Sequence, residues 1–302
     1  MDKNARLFYN EGMNPVYDFS AGDHSTMVGD AIRLDAYYAA IQNQTKPGTI
    51  VAEIGTGTGI LAAYAASFTQ APVAAIEYYD STADLAEAMF IAAKMTHVKV
   101  YRGESYGITL NPSPDLLVTE TIGALGPEEH IVELCHDFKK RHPSIKTIIP
   151  SRLRVMAEPI LSTRVKELER MFHDYFTTAS FGSFNYEAIK PVLTRSYASE
   201  IKYNSLSGAK SAGPQTVLAD YLLGSTETSA FSSVVDLTEI KECDAVQLFF
   251  EATLDQHLVL STHHSKPETH WGHAYVVKAE GCQKLRVTYS GDFKSIQVRW
   301  EI

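Results

Sequence analysis

Glu120 and Glu129 are separated by eight residues on the segment Glu120-Thr-Ile-Gly-Ala-Leu-Gly-Pro-Glu-Glu129, whose Gly123, Gly126 and Pro127 allow a hairpin-like return of the chain. Two carboxylates facing one pocket repel each other unless a cation neutralises them. A planar guanidinium matches paired carboxylates better than an ammonium does, because it offers two parallel N–H donors. Glu128 is the off-register alternative for the second carboxylate. Glu128 and Glu129 are also suited to the start of a following helix, where negative charge meets the positive end of the helix dipole.

A second chemistry-bearing segment is Val51-Ala-Glu-Ile-Gly-Thr-Gly-Thr-Gly-Ile-Leu-Ala62. Here a short apolar run passes through Gly55, Gly57 and Gly59 directly into a helical pattern. Glycines permit a tight turn and close approach of a ligand to the backbone, and the helix start presents free N–H groups. The dinucleotide fingerprint G-x-G-x-x-G needs glycine at position 60, which is Ile60, and no Gly-Lys-Ser/Thr of a P-loop follows. The G-x-G-x-G form, with Glu53 two residues before Gly55, resembles the S-adenosylmethionine loop of class I methyltransferases. Glu77 closes the next apolar run about 20 residues on, where a carboxylate can accept hydrogen bonds from both ribose hydroxyls of an adenosine.

The elements that must position these groups follow from periodicity. Val51–Ile54, Val73–Ile76, Val98–Tyr101 and Leu116–Thr119 read as buried strands. They alternate with helical patterns over Leu61–Phe68, Ser81–Met95 and Glu128–Lys140, and a further helix over Asp30–Gln42 precedes them. Such alternation predicts βαβ units and a mainly parallel sheet, and ligands of such sheets bind beyond the C-terminal ends of the strands, where Glu120 falls.

After Pro150 the period changes to two. Arg152–Ala157, Ala245–Ala252, His257–Ser261, Trp271–Val277, Leu285–Tyr289 and Ile296–Trp300 predict an antiparallel sandwich or barrel. Val165–Tyr175 interrupts it with a helical pattern, and Asn204–Gly213 reads as an exposed loop. The expected fold class is α/β: a Rossmann-like domain over residues 1–150, then an antiparallel β-barrel-like domain over 151–302.

Together these segments resemble the protein arginine N-methyltransferases, with motifs nearest the monomethylating branch. The resemblance runs from about Val16 to the C-terminus. It identifies Glu120 and Glu129 as that family's double-E loop, which clamps the substrate guanidinium. His24-Ser-Thr-Met-Val-Gly-Asp-Ala-Ile-Arg33 fits the family's H-x-x-M-x-x-D-x-x-R helix. By that resemblance His24 and Arg33 contact S-adenosylmethionine, Arg33 at its carboxylate, Met27 packs near the sulfonium, and Asp30 is a hydrogen-bond partner.

Thr269-His270-Trp271 resembles the family's Thr-His-Trp loop, whose His pairs with the Asp placed here at Asp30. The family's adenine-contacting Glu falls at Gly107, with Glu104 and Ser105 nearby. The implied catalytic set is Glu120, Glu129, His270 and Asp30. The implied cofactor set is His24, Met27, Arg33, Glu53, Gly55, Gly57, Gly59, Glu77, Glu104 and Ser105. Trp271 joins the two glutamates at the substrate. A helical arm at about 161–196, with Met171, Phe172, Tyr175 and Phe176 as its apolar face, is expected to make a homodimer.

Composition limits the alternatives. The net charge of −9 argues against a nucleic-acid binder. Residues 1–150 carry 11 Lys/Arg against 18 Asp/Glu, which favours a cationic substrate such as protein, peptide or free arginine. No apolar run approaches the ~20 residues of a membrane span, and the N-terminal segment lacks a signal-peptide layout, so a cytoplasmic protein without membrane partners is expected. Cys135, Cys243 and Cys282 contain no CxxC pair. His263, His264, His270 and His273 raise a metal reading, but no nearby acidic or cysteine ligand completes a recognisable spacing, and no metal is expected. A class I methyltransferase acting on oxygen or carbon, or a non-catalytic cofactor-binding scaffold, would account for the glycine loop and Glu77. Neither accounts for Glu120, Glu129 and Thr269–Trp271 together.

Overall fold

The structure is a computed structural model that describes residues 21–178, 189–292 and 296–302. Two helices, α1 (Ala21–Val28) and α2 (Ala31–Gln44), lead into β1 (Val51–Ile54), α3 (Ile60–Phe68), β2 (Val73–Glu77), α4 (Asp80–Ala92), β3 (Val98–Arg102), β4 (Leu116–Thr119), α5 (Ile131–Arg141) and β5 (Thr147–Ile149). The five strands pair in the order β3-β2-β1-β4-β5, every pairing parallel. β1, β2 and β4 are buried on both faces, which is why their sequences are largely apolar rather than alternating, with Glu53 the exception inside β1.

The strand order reverses between β1 and β4, so the loops leaving these two strands open side by side at one end of the sheet. The Gly55–Gly59 loop follows β1 and the Glu120 segment follows β4. α2 caps this end: Asp30 accepts from the Arg33 backbone N–H at 3.0 Å as its N-cap, and the fully buried Tyr37 donates to the Thr119 carbonyl at 3.1 Å.

Two residues beyond β5 the chain enters antiparallel structure. Its elements are β6 (Arg152–Leu161), α6 (Thr163–Thr178), α7 (Lys190–Ala198), β7 (Lys202–Tyr203), β8 (Lys210–Ser211), β9 (Thr216–Leu222), β10 (Phe231–Asp236), β11 (Ala245–Thr253), β12 (Val259–Ser261), β13 (Ala274–Val277), β14 (Lys284–Tyr289) and β15 (Gln297–Glu301). One sheet runs β7-β13-β11-β6-β8 with β9 on β6 and β12 on β11; a second runs β10-β14-β15. A single apolar core passes from the parallel sheet through Ile122 and Leu125 to Leu153 and Phe250, so the double-glutamate segment is packed between the two halves.

The helix expected over Glu128–Lys140 is corrected. Pro127–Glu129 form a 3-10 turn, and His130 at φ +61° separates it from α5. β6 runs past its expected end at Ala157 and through Pro159, whose carbonyl still accepts from the Ala212 N–H at 2.8 Å. Within Asn204–Gly213, expected as loop, β8 pairs briefly with β6. The helical excursion is α6 and α7. Phe172 stacks on Tyr197 at 4.0 Å between ring centroids, and Met171 is exposed; the side chains of Tyr175 and Phe176 lie outside the described residues. Among the described residues no helix is long and apolar enough to cross a membrane.

Candidate active site

Glu77 anchors the glycine loop. Its carboxylate, buried at the end of β2, accepts from the Gly57 N–H at 2.8 Å and the Tyr79 N–H at 3.0 Å. Gly55 adopts φ +71°, and a Cβ there would lie 2.7 Å from Thr121 Cγ2, so the loop after β1 touches the segment after β4 only because residue 55 lacks a side chain. Glu53 lies underneath: it accepts from the Thr56 hydroxyl and from the Ala62 backbone N–H, and burial pushes its carboxyl up to about 8. Its partners belong to the loop and to α3, so Glu53 braces the loop from within.

Beyond β4 the chain makes the expected return. Gly123 and Gly126 exchange two backbone hydrogen bonds of 3.0 Å, closing a hairpin over Ala124 and Leu125. Glu128 turns into this hairpin and accepts from the Leu125 N–H at 3.1 and 3.2 Å. A Cβ on Gly123 would meet its Oε2 at 2.6 Å, so glycine there is what admits the carboxylate. Glu128 is thus spent on holding the hairpin. Glu129 is half-buried, and its carboxyl is pushed up to about 8 by burial first and then by the charges of Glu120 and Glu128. The charge of Glu120 thus acts on Glu129, whereas Glu128 faces the backbone of its own hairpin.

Glu120 has a cation already. Arg33 Nη1 forms an ion pair with Glu120 Oε2, while Arg33 Nη2 donates to the Met27 carbonyl at 2.7 Å. Burial still raises the Glu120 carboxyl, against the lowering effect of Arg33 and His270. Asp30 and His270 meet across 240 residues: both the His270 backbone N–H (2.9 Å) and Nδ1 (2.8 Å) lie on Asp30 Oδ2. Burial raises the Asp30 carboxyl, and the hydrogen bonds from His270 and from the Arg33 backbone more than reverse this, leaving it lowered. An ionised Asp30 therefore fixes Nδ1 as the donor and leaves Nε2 as the ring's second proton-binding atom.

Trp271 donates from Nε1 to the Ile122 carbonyl at 2.9 Å, with its ring edge-on to Phe250. Its contacts support the hairpin that carries the two glutamates. Trp271→Phe keeps an aromatic ring but loses the Nε1 hydrogen bond and part of the indole's packing, so we expect it to lower stability by ~1–2 kcal/mol. Denaturant titration checks this, and an unchanged midpoint would show that the bond contributes nothing.

Other expected residues take varied places. Met27 is half-buried at the end of α1, and Glu104 is exposed after β3. Ser105 is buried. His24 lies in α1 with its side chain outside the described residues. Arg33 Nε and Ser105 Oγ, both buried, have no hydrogen-bond partner, which suits groups whose polar complement is a ligand. The four clustered histidines diverge: His270 goes to Asp30, and His273 Nδ1 accepts from the Leu206 N–H at 3.0 Å. His263 and His264 converge on Glu158 of β6, an acidic neighbour that local spacing did not supply.

No family model matches the chain. Among curated relatives, the rice (Oryza sativa subsp. japonica) protein arginine N-methyltransferase PRMT10 is 27% identical over 185 residues, covering 58% of this chain. That match spans 48% of the rice protein, about half its length. The Arabidopsis thaliana PRMT10 is 26% identical over 277 residues, 82% of this chain and 72% of that one. The arginine N(omega)-methyltransferase of Streptomyces achromogenes subsp. streptozoticus is 25% identical over 282 residues, 88% and 76%. The same fold occurs in the Trypanosoma brucei PRMT1 enzyme-prozyme heterotetrameric complex with AdoHcy (TM-score 0.72, 17% identity, 94% of both chains). It also occurs in the structure of Arabidopsis PRMT10 (TM-score 0.68, 20% identity, 90% and 88%).

Proposed function

We propose that this chain is a protein arginine N-methyltransferase, transferring a methyl group from S-adenosylmethionine to a guanidinium nitrogen of arginine, a reading supported by relatives of that activity at 25–27% identity. The observation that carries this reading is the juxtaposition of a Glu77-anchored glycine loop with two half-buried carboxylates, Glu120 and Glu129, beyond adjacent strands of one parallel sheet. Glu77 holds the ribose and the Gly55–Gly59 backbone lies against the cofactor. Arg33 and His24 take its carboxylate end, Met27 lies near the sulfonium, and Glu104 and Ser105 lie toward the adenine. Bound S-adenosylmethionine supplies an electrophilic methyl on a positively charged sulfur.

The residues of this chain do the rest. Glu120 and Glu129 fix the guanidinium plane and draw its positive charge toward the nitrogens they touch, which enriches the remaining nitrogen in electron density. That nitrogen's lone pair forms the new N–C bond as the C–S bond breaks, and the electrons of the broken bond stay on sulfur. The proton displaced from nitrogen passes to the Glu129 carboxylate, whose carboxyl burial and neighbouring charges push up to about 8. Asp30 holds His270 by Nδ1 and so keeps Nε2 able to carry the proton away.

We propose a single methylation per guanidinium, with the acceptor either free L-arginine or arginine in a polypeptide. We also propose a homodimer that resides in the cytoplasm. Exposed Met171, Ile189 and Val192 on or beside α6 and α7, and three free cysteines, support those two points. Incubation with methyl-labelled S-adenosylmethionine and either free L-arginine or an Arg-rich peptide tests the function. Label is expected in monomethylated guanidine of one acceptor; failure to label either at millimolar acceptor overturns the assignment.

A further inference from the structure

The cluster formed by Glu158, His263 and His264 belongs to none of the chemistry above. Glu158 sits in the middle of β6 with 4% of its surface exposed, and its described ion-pair partners are both histidines, so no Lys or Arg balances this buried carboxylate. Its Oε2 lies 2.6 Å from His263 Nε2 and 3.6 Å from His264 Nδ1. One ligating atom from each residue lies within 4.8 Å of the others.

The surroundings turn these atoms inward. Ser265 Oγ lies 2.7 Å from His263 Nδ1, which directs the ring's Nε2 to Glu158. Ser211 Oγ donates to Glu158 Oε1 at 3.0 Å, which leaves Oε2 for the histidines. Gln247, fully buried, places Oε1 2.7 Å from His264 Nδ1 and is held by its own Nε2 on the Thr262 carbonyl at 3.0 Å. Ser265 and Ser211 are outer partners of the kind that orient metal ligands and fix their tautomers. His264 Nδ1 instead donates to Gln247 Oε1 in the metal-free protein and gives up that proton when it ligates.

We propose that Glu158, His263 and His264 form a binding site for one divalent transition-metal ion of the zinc class. Two imidazole nitrogens and one carboxylate oxygen are a familiar donor set for such ions. Bond lengths of about 2.0–2.2 Å are reached by ligand movements on the order of 1 Å, and the fourth position is left to water or to Gln247 Oε1. One charge of the ion is balanced by Glu158, which removes the uncompensated carboxylate from the sheet interior. Loaded, the ion ties β6 to the segment that ends in Thr269–Trp271, five to seven residues beyond His264. This inference does not rest on the methyltransferase reading, because its readout is metal content.

The test uses untagged, chelator-stripped full-length protein dialysed against micromolar Zn2+, with metal measured by elemental analysis and site geometry by Co2+ absorption. One equivalent per chain is expected, together with the intense visible bands of four-coordinate Co2+ and slower hydrogen exchange over residues 263–271. Glu158→Gln and His264→Asn are each expected to weaken Zn2+ binding at least tenfold. Ser265→Ala, which leaves all three ligands in place, is expected to weaken it less. Circular dichroism of each variant establishes that it is folded; were the ligand variants unfolded, Ser265→Ala against wild type decides. Stoichiometry well below one in the wild type, or equal affinity in wild type and folded ligand variants, overturns the site.

Discussion

Glu120→Gln is expected to reduce methyl transfer at least ~10³-fold while leaving affinity for S-adenosylmethionine within about threefold of wild type. The substitution keeps the shape of a buried side chain that closes β4 and removes only its charge. That charge does two jobs in the proposed reaction. It accepts charge-assisted hydrogen bonds from the guanidinium, roughly twice as strong as neutral ones, and it polarises the guanidinium away from the attacking nitrogen. Without it a delocalised guanidinium has no reason to concentrate electron density on one atom. The cofactor contacts proposed for Glu77 and the glycine loop do not pass through Glu120.

Arg33 loses its Glu120 partner in this variant but keeps its bond to the Met27 carbonyl, and is released toward the cofactor carboxylate. Equilibrium binding of S-adenosylmethionine and single-turnover transfer, measured on the same preparation, separate the two effects. A variant that retains more than about a tenth of wild-type transfer sinks the clamp, and one that loses cofactor binding in parallel makes Glu120 a cofactor residue.

The parallel sheet was readable because its strands are buried on both faces: Val51–Ile54 and Leu116–Thr119 begin and end where the apolar runs do. The antiparallel half was less so. β9 is mostly partly exposed, and β10 follows a Thr- and Ser-rich stretch, so neither stands out from its neighbours as a strand. The pairing of Asp30 with His270 spans 240 residues and was reachable only through motif resemblance, since periodicity does not bring two remote polar residues together. Glu158 shows the limit from the other side. Inside an apolar strand it looks like an isolated carboxylate, and only the β6–β11 register, which sets Glu158 opposite Gln247, delivers it to His263 and His264. The different surroundings of Glu128 and Glu129 were invisible to spacing, because they depend on the Gly123–Gly126 closure that takes in Glu128 and on the left-handed His130 that follows.

The pH dependence of the wild type follows from Glu129, and activity and stability are expected to move in opposite directions. Without substrate its carboxyl keeps a proton up to about pH 8, because burial and the charges of Glu120 and Glu128 disfavour ionisation. An entering guanidinium needs the carboxylate, so kcat/KM should climb with pH through about 8 and fall close to tenfold per unit below it. Stability runs the other way. A carboxyl whose folded pKa exceeds its unfolded value of about 4.3 stabilises the fold while protonated, and that contribution is lost as pH rises from there through about 8. The slope is at most ~1.4 kcal/mol per pH unit for each such group.

Glu53, pushed up to about 8, and Glu128, pushed up to about 7, act in the same direction. The cofactor-free protein should therefore melt several degrees lower at pH 8.5 than at pH 6. Glu129→Gln mimics the protonated carboxyl permanently. It should melt with a shallower pH dependence than wild type and transfer methyl at least ~10²-fold more slowly, on a profile that no longer climbs through pH 8. Stopped-time assays from pH 6 to 9 and melting curves over the same range read both halves. A wild-type kcat/KM that is flat from pH 6 to 8 would falsify the assignment of Glu129 as the second arm of the clamp, because no buried carboxyl held protonated to that pH could receive a cation without first giving up its proton.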